Sequence, residues 1–196
     1  MWKPPASPAE ARRELLELLR SKSVFRGDFV LASGARSNYY IDCRLTTLDA
    51  KGAWLVGMVV LEAIRKQEER IKHRVASIGG LTMGADPIAL ATSMVSAISG
   101  DRSPLRPFIV RKAAKGHGQT KLIEGDFRAG DQVVVIDDVI TTGDSTIKAI
   151  EAVREARGEI DFIVALVNRQ EGGVDRIEQL GYPVVPIFNR DELLQG

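Results

Sequence analysis

Between Gln132 and Val167 the chain twice sets down an apolar run with a helical stretch between the two. Gln132-Val133-Val134-Val135-Ile136 is continuous and β-branched, Thr142–Arg157 has helical periodicity and stops at Gly158, and Ile160–Val167 is interrupted only by Asp161. Runs apolar on both faces suit strands covered on both sides, which in turn means a parallel sheet with helices above and below. The same rhythm extends outward. Val75–Ile78, Pro107–Val110 and Val184–Ile187 read as strands, and Leu48–Arg70, Pro87–Ile98 and Val174–Leu180 as helices. Ahead of them, Glu10–Arg20 predicts an amphipathic helix, and Phe29–Ala32, a turn at 33–36 and Asn38–Asp42 predict a hairpin. The expected fold is α/β, a mainly parallel central sheet flanked by helices. The whole of 1–196 is expected to form one domain, with 1–47 as a small N-terminal helix-and-hairpin hood.

With 196 residues, the chain can bury a core without staples. Lys and Arg number 27 against 26 Asp and Glu, so no overall basic field points to nucleic acid. One cysteine, Cys43, cannot pair internally, which fits a reducing compartment. No apolar run approaches the ~20 residues of a membrane helix. A cytoplasmic protein without a membrane or nucleic-acid partner is expected.

The most informative stretch follows the first of those runs: Asp137-Asp138-Val139-Ile140-Thr141-Thr142-Gly143-Asp144-Ser145. In open α/β sheets, ligands bind beyond the carboxyl ends of strands. Two adjacent carboxylates there repel one another, and hydroxyls or a hydrated cation would relieve the cost. The turn behind them offers backbone N–H groups, hydroxyls and the positive end of a helix, a cradle for an anion. It is neither a P-loop, since no Gly-Lys-Ser/Thr follows, nor a dinucleotide fingerprint, since GxGxxG is missing. A sugar phosphate, its diol on the acids and its phosphate in the turn, fits this order. Elsewhere, Arg111-Lys112-Ala113-Ala114-Lys115-Gly116-His117-Gly118 concentrates cations and glycines, as suits a lid over a polyanion, although composition alone favours a solvated basic loop or a nucleic-acid patch. Taken alone, Tyr39 and Tyr40 are hairpin aromatics, and Arg169 is an arginine at a strand exit. No Cys/His cluster has metal-ligand spacing.

Asp137 to Ser145 resembles the signature by which phosphoribosyltransferases bind phosphoribosyl pyrophosphate (PRPP). Three more segments are similar to orotate phosphoribosyltransferases in particular: Arg111–Gly118 leading to Leu122-Ile123-Glu124-Gly125, the hairpin through Tyr39-Tyr40, and Asn168-Arg169-Gln170-Glu171-Gly172-Gly173. The resemblance spans roughly residues 25–190. It implies transfer of a phosphoribosyl group from PRPP to orotate, with Mg²⁺ as cofactor. It puts Asp137 and Asp138 on the ribose, and Val139, Ile140, Thr141, Thr142, Gly143, Asp144 and Ser145 around the 5′-phosphate. Arg111, Lys112, Lys115 and His117 fall to pyrophosphate, with Lys115, His117 and the two acids as the catalytic set. Thr141, Arg169, Tyr39 and Tyr40 fall to orotate. No residue is expected to ligate metal directly, although Asp137 and Asp138 could do so through water. The resemblance also implies a homodimer whose lid acts on the neighbouring subunit's site. Ala32 and Met83 stand where some members carry a lysine for pyrophosphate, so neither is assigned to the site, although Gly79-Gly80-Leu81-Thr82-Met83-Gly84-Ala85-Asp86 can still bind through backbone N–H groups and Thr82. Rival readings are a phosphoribosyltransferase for another base, which would not need Arg169, and a PRPP-sensing regulator, which would not need Lys115.

Overall fold

A computed structural model describes residues 2–30, 34, 36–113 and 122–195. The first helix, α1 (Pro8–Lys22), starts at Ser7, whose hydroxyl accepts the Glu10 N–H at 3.2 Å; Pro8 occupies the first turn, where an N–H would go unused. Its apolar stripe of Ala11, Leu15 and Leu19 is fully buried. An antiparallel hairpin follows, β1 (Val24–Val30) and β2 (Arg36–Ile41), with a register shift between Arg26 and Phe29. The apolar run had suggested a first strand at Phe29–Ala32, of which 31 and 32 lie outside the described residues. The strand begins earlier because pairing with β2, and not an apolar alternation, defines it; Arg26, Gly27 and Asp28 are all exposed.

The chain continues through α2 (Arg44–Thr47), α3 (Ala50–Ile71), β3 (Ser77–Leu81), α4 (Ala85–Ile98), β4 (Arg106–Val110) and β5 (Ile123–Gly125). It ends with β6 (Gln132–Ile140), α5 (Asp144–Glu155), β7 (Glu159–Asn168), α6 (Gly173–Gln179), β8 (Val184–Asn189) and α7 (Arg190–Leu194). The six-stranded sheet has the order β5-β4-β3-β6-β7-β8. Every neighbouring pair is parallel except β4–β5, so the expected mainly parallel α/β sheet is present. The short strand β5 and the helix α7 had no periodic signal in the sequence.

Alternation along β6 divides the core between the sheet's two faces. Val134 and Ile136 join the α1, α3 and α4 side, with Leu15, Leu55, Ile64 and Ile88. Val133 and Val135 join the α5 and α6 side, with Ala149, Val153 and Ile177. The chain winds outward from β3 to β4 on one side and from β6 to β8 on the other. The carboxyl ends of β3 and β6 therefore flank the point where the winding reverses, which is where open sheets hold their ligands. Among the described residues, no helix is long and apolar enough to cross a membrane.

Candidate active site

The acid pair does not follow the strand, as the apolar run had implied, but belongs to it. β6 runs on to Ile140, with Asp137 opposite Ala165 and Val139 opposite Val167 on β7. Successive residues of a strand face opposite ways. Asp137 turns toward α5, where its buried carboxylate accepts the Thr146 hydroxyl at 2.6 Å. Asp138 turns toward the loop after β3. There Gly84 leaves the room: a Cβ on it would stand 2.2 Å from Asp138 Oδ1. The same oxygen accepts the Val139 N–H at 3.0 Å. Burial pushes the Asp137 carboxyl up to about 7, and the neighbouring Asp138 charge adds to the push. Burial raises Asp138 as well, against the Val139 N–H. The pair is thus short of positive charge and hydrogen-bond donors.

Thr141–Gly143 carries the chain from β6 into α5. Gly143 sits at φ 84°, in the left-handed region open to glycine, and α5 starts at Asp144 and not, as the sequence suggested, at Thr142. The turn is braced from α6: the Gly173 N–H donates to the Thr141 carbonyl at 3.0 Å, and Arg176 Nη1 to the Thr142 carbonyl at 3.2 Å. Arg176 also ion-pairs with Asp144, whose carboxylate accepts the Thr142 hydroxyl at 3.0 Å. The exit of β7 supplies Arg169, only 6% exposed, whose Nη2 meets Glu171 Oε1 at 2.8 Å. Its guanidinium stands 5.2 Å from the centre of the Tyr39 ring.

A cleft of about 310 Å³ joins these pieces. Of the residues expected from the sequence, Tyr40, Lys112, Asp137, Asp138, Val139, Thr141, Ser145 and Arg169 line it. Of the other described residues, Tyr39 stands behind the cleft, against Arg169, while Thr142, Gly143 and Asp144 form the back of the turn. The Ile140 side chain is core, and its carbonyl accepts the Arg169 N–H at 2.9 Å, so only its neighbours' groups reach the cleft. Arg111 is directed to Glu124, at 3.4 Å. Lys115 and His117 lie outside the described residues, as does Ala32.

The cleft also holds residues beyond the assigned set. Asp42 and Arg44 form a two-pronged pair, both contacts at 2.8 Å, on the cleft wall. Their Asp-x-Arg spacing at the end of a predicted strand was the available clue. Thr82, Met83 and Gly84 form the opposite wall; the Thr82–Met83 peptide is cis, and the Thr82 hydroxyl donates to Asp86 at 2.7 Å. Thr146 could have been found only by placing it in the first turn of α5, directly behind the acids. Among the described residues, no group of three or more His, Cys, Asp or Glu could hold a metal ion. The arrangement can bind an anion at the turn, a diol or hydrated cation at the acids, and a planar carboxylate at Arg169.

Comparison with known proteins points to one family. No family model matches the chain. The orotate phosphoribosyltransferase of Aquifex aeolicus is 40% identical over 186 residues, which is 93% of this chain and 97% of that protein. Among solved structures, the orotate phosphoribosyltransferase of Mycobacterium tuberculosis H37Rv, in complex with Fe(III) dicitrate, superposes with a TM-score of 0.77 at 35% identity, covering 94% of this chain and 99% of the other. The complex of that enzyme with PRPP gives 0.73 at 30% identity, covering 93% and 91%.

Proposed function

The chain belongs to the orotate phosphoribosyltransferase family, and on that premise we propose how its residues divide the transfer of a phosphoribosyl group from PRPP to orotate. The reaction gives orotidine 5′-monophosphate and pyrophosphate, a step of pyrimidine biosynthesis. One observation carries the assignment of residues: the acid pair, the N-terminal turn of α5 and a nearly buried arginine open on one cleft where the sheet's winding reverses.

As the bond from the anomeric carbon to pyrophosphate breaks, positive charge builds on the ribose and negative charge on the leaving group. The orotate ring nitrogen then bonds to the anomeric carbon and gives up its proton, which passes to the departing pyrophosphate or to water. Little of this needs covalent help, so catalysis is positioning and electrostatics. Asp137 and Asp138 accept hydrogen bonds from the ribose hydroxyls and oppose the developing positive charge. The turn from Thr141 to Ser145 holds the 5′-phosphate with backbone N–H groups and hydroxyls. Lys112 on the cleft wall, with Arg111, Lys115 and His117 from the same segment, neutralises pyrophosphate. Arg169 takes the orotate carboxylate in its planar fork, with Tyr40 and Thr141 beside the ring.

Mg²⁺ fits this donor set. Two carboxylates raised by burial and by one another gain from a nearby divalent cation, and the lack of a third ligand among the described residues leaves most of its coordination to substrate oxygens and water. When bound, the ion offsets the charge of pyrophosphate.

We read the enzyme as a homodimer. Leu90, Met94 and Ile98 project from one face of α4 and are each more than half exposed, and Leu48 and Met83 extend the patch. Such a patch suits a second copy of the chain. Met83 also lines the cleft, so the patch is continuous with the site. A single buried, unpaired cysteine, Cys43, suits the cytoplasm.

Loss of orotate absorbance that requires both PRPP and Mg²⁺ would support this function. Turnover of adenine, guanine, hypoxanthine or uracil in its place would overturn it.

A further inference from the structure

A carboxylate of the chain itself already holds the guanidinium assigned to orotate. Arg169 Nη2 lies 2.8 Å from Glu171 Oε1 and donates to the Tyr39 hydroxyl at 3.5 Å. That hydroxyl donates in turn to the same Glu171 oxygen, also at 3.5 Å, which closes a small ring of contacts. Arg169 Nε is buried and has no hydrogen-bond partner, so the fork is only partly used. The two ion partners differ in freedom. The Arg169 side chain is 7% exposed, whereas that of Glu171 is 33% exposed. Glu171 also sits between two left-handed residues, Gln170 at φ 58° and Gly172 at φ 84°, in the loop leading to α6.

We propose that Glu171 is a specificity-determining residue, a built-in competitor that occupies Arg169 until the orotate carboxylate displaces it. The proposal rests on Arg169 being the residue that takes that carboxylate. Exchange then replaces one carboxylate by another, and the buried guanidinium keeps a counter-ion throughout. A released Glu171 turns to water, which its exposure allows, while Arg169 stays where it is. A neutral pyrimidine has nothing to exchange. It must leave the pair intact and forgo the contact, or break it and strand a buried charge, which is strongly unfavourable. Orotate in turn binds less tightly than it would to an unoccupied arginine.

Glu171→Gln keeps the shape and removes the charge, so a charge-assisted bond to Arg169 becomes a weaker neutral one. With PRPP and Mg²⁺ saturating, the KM for orotate should fall roughly tenfold, more than kcat changes, and the KM for PRPP, measured with orotate saturating, should hold. In an Arg169→Ala background, the same substitution should do nothing further, because the competitor then has no partner. A second variant, Glu171→Ala, should repeat the direction if Gln introduces contacts of its own. An unchanged or higher KM for orotate in both single variants would overturn the proposal, as would an equal drop without Arg169. If the unsubstituted enzyme fails to consume orotate at all, the functional assignment itself falls, which is a separate outcome from a wild type that turns over orotate normally beside unaltered variants.

Discussion

The Thr146 hydroxyl donates a hydrogen bond to the Asp137 carboxylate at 2.6 Å, and both side chains are buried. The bond is the chief local support for a negative charge on Asp137, since burial and Asp138 both oppose that charge. Thr146→Val should therefore raise the Asp137 pKa further. If PRPP binds the ionised pair, the acid limb of the PRPP affinity profile should move up by about one pH unit, while Thr146→Ser leaves it in place. Calorimetric titration of PRPP between pH 5.5 and 9 would show this, and superimposable profiles for Val and wild type would count against it.

The same raised pKa bears on stability. An ordinary aspartate titrates near 3.8, and folded Asp137 near 7. Between these values the folded chain retains a proton that the unfolded chain releases, so this group's contribution to stability falls as pH rises from about 4 through about 7. Asp137→Asn cannot titrate. It should melt higher than wild type at pH 8, by several degrees, with a smaller advantage at pH 5, while losing nearly all activity. Thermal melts at the two pH values test the sign; an advantage that shrinks toward pH 8 would contradict it.

Gly84 tests the other acid. A Cβ there would overlap the Asp138 carboxylate, which is the end of a side chain and can rotate away. Gly84→Ala should fold, because its φ of −62° suits alanine, but should displace Asp138 and weaken PRPP binding roughly tenfold or more. A variant that binds PRPP normally would show that Asp138 does not need its present position.

Arg169→Ala should raise the KM for orotate by roughly 10- to 100-fold, as expected for loss of a charge-assisted contact, and leave PRPP binding without orotate unchanged. Equal loss of both in calorimetry would remove Arg169 from the base pocket.

The fold was legible where periodicity reports burial. Val133–Ile136 and Ile160–Val167 are apolar on both sides because both sides are covered, and the sequence says so directly. The hairpin and its second strand were found, but the first strand was misplaced because Arg26, Gly27 and Asp28 are exposed, so that strand is defined by backbone pairing that no side-chain pattern records. At the site, Asp137, Asp138 and the turn were legible since charge and glycine at the end of a buried strand are costly without a use. Ile140 was misjudged because a contiguous motif conceals the alternation of a strand, which sends that side chain into the core. Thr146, Arg44 and Glu171 escaped notice because their meaning lies in a contact across the fold or a carboxylate next to the right arginine, and no local spacing announces either.

The proposed homodimer can be tested through a site shared between its two chains. The apolar face of α4 reaches the cleft through Met83, and the segment carrying Lys115 resembles the family's loop that acts on a neighbouring subunit. Suppose Lys115 serves the partner's substrate while Asp137 and Asp138 serve their own. A Lys115→Ala chain and an Asp137→Asn/Asp138→Asn chain should each be nearly inactive. Unfolded together and refolded as an equal mixture, they form mixed dimers in which one site has intact acids from the first chain and an intact lysine from the second. Random pairing makes half the dimers mixed, with one good site of two in each, so activity should return to at most about a quarter of wild type. Adding Met94→Glu to both chains puts a charge in the apolar face and should abolish the recovery along with the dimer. If Lys115 acted within its own chain, every site in the mixture would lack one component. Tagged mixed dimers that form without any recovery of activity would exclude the shared site.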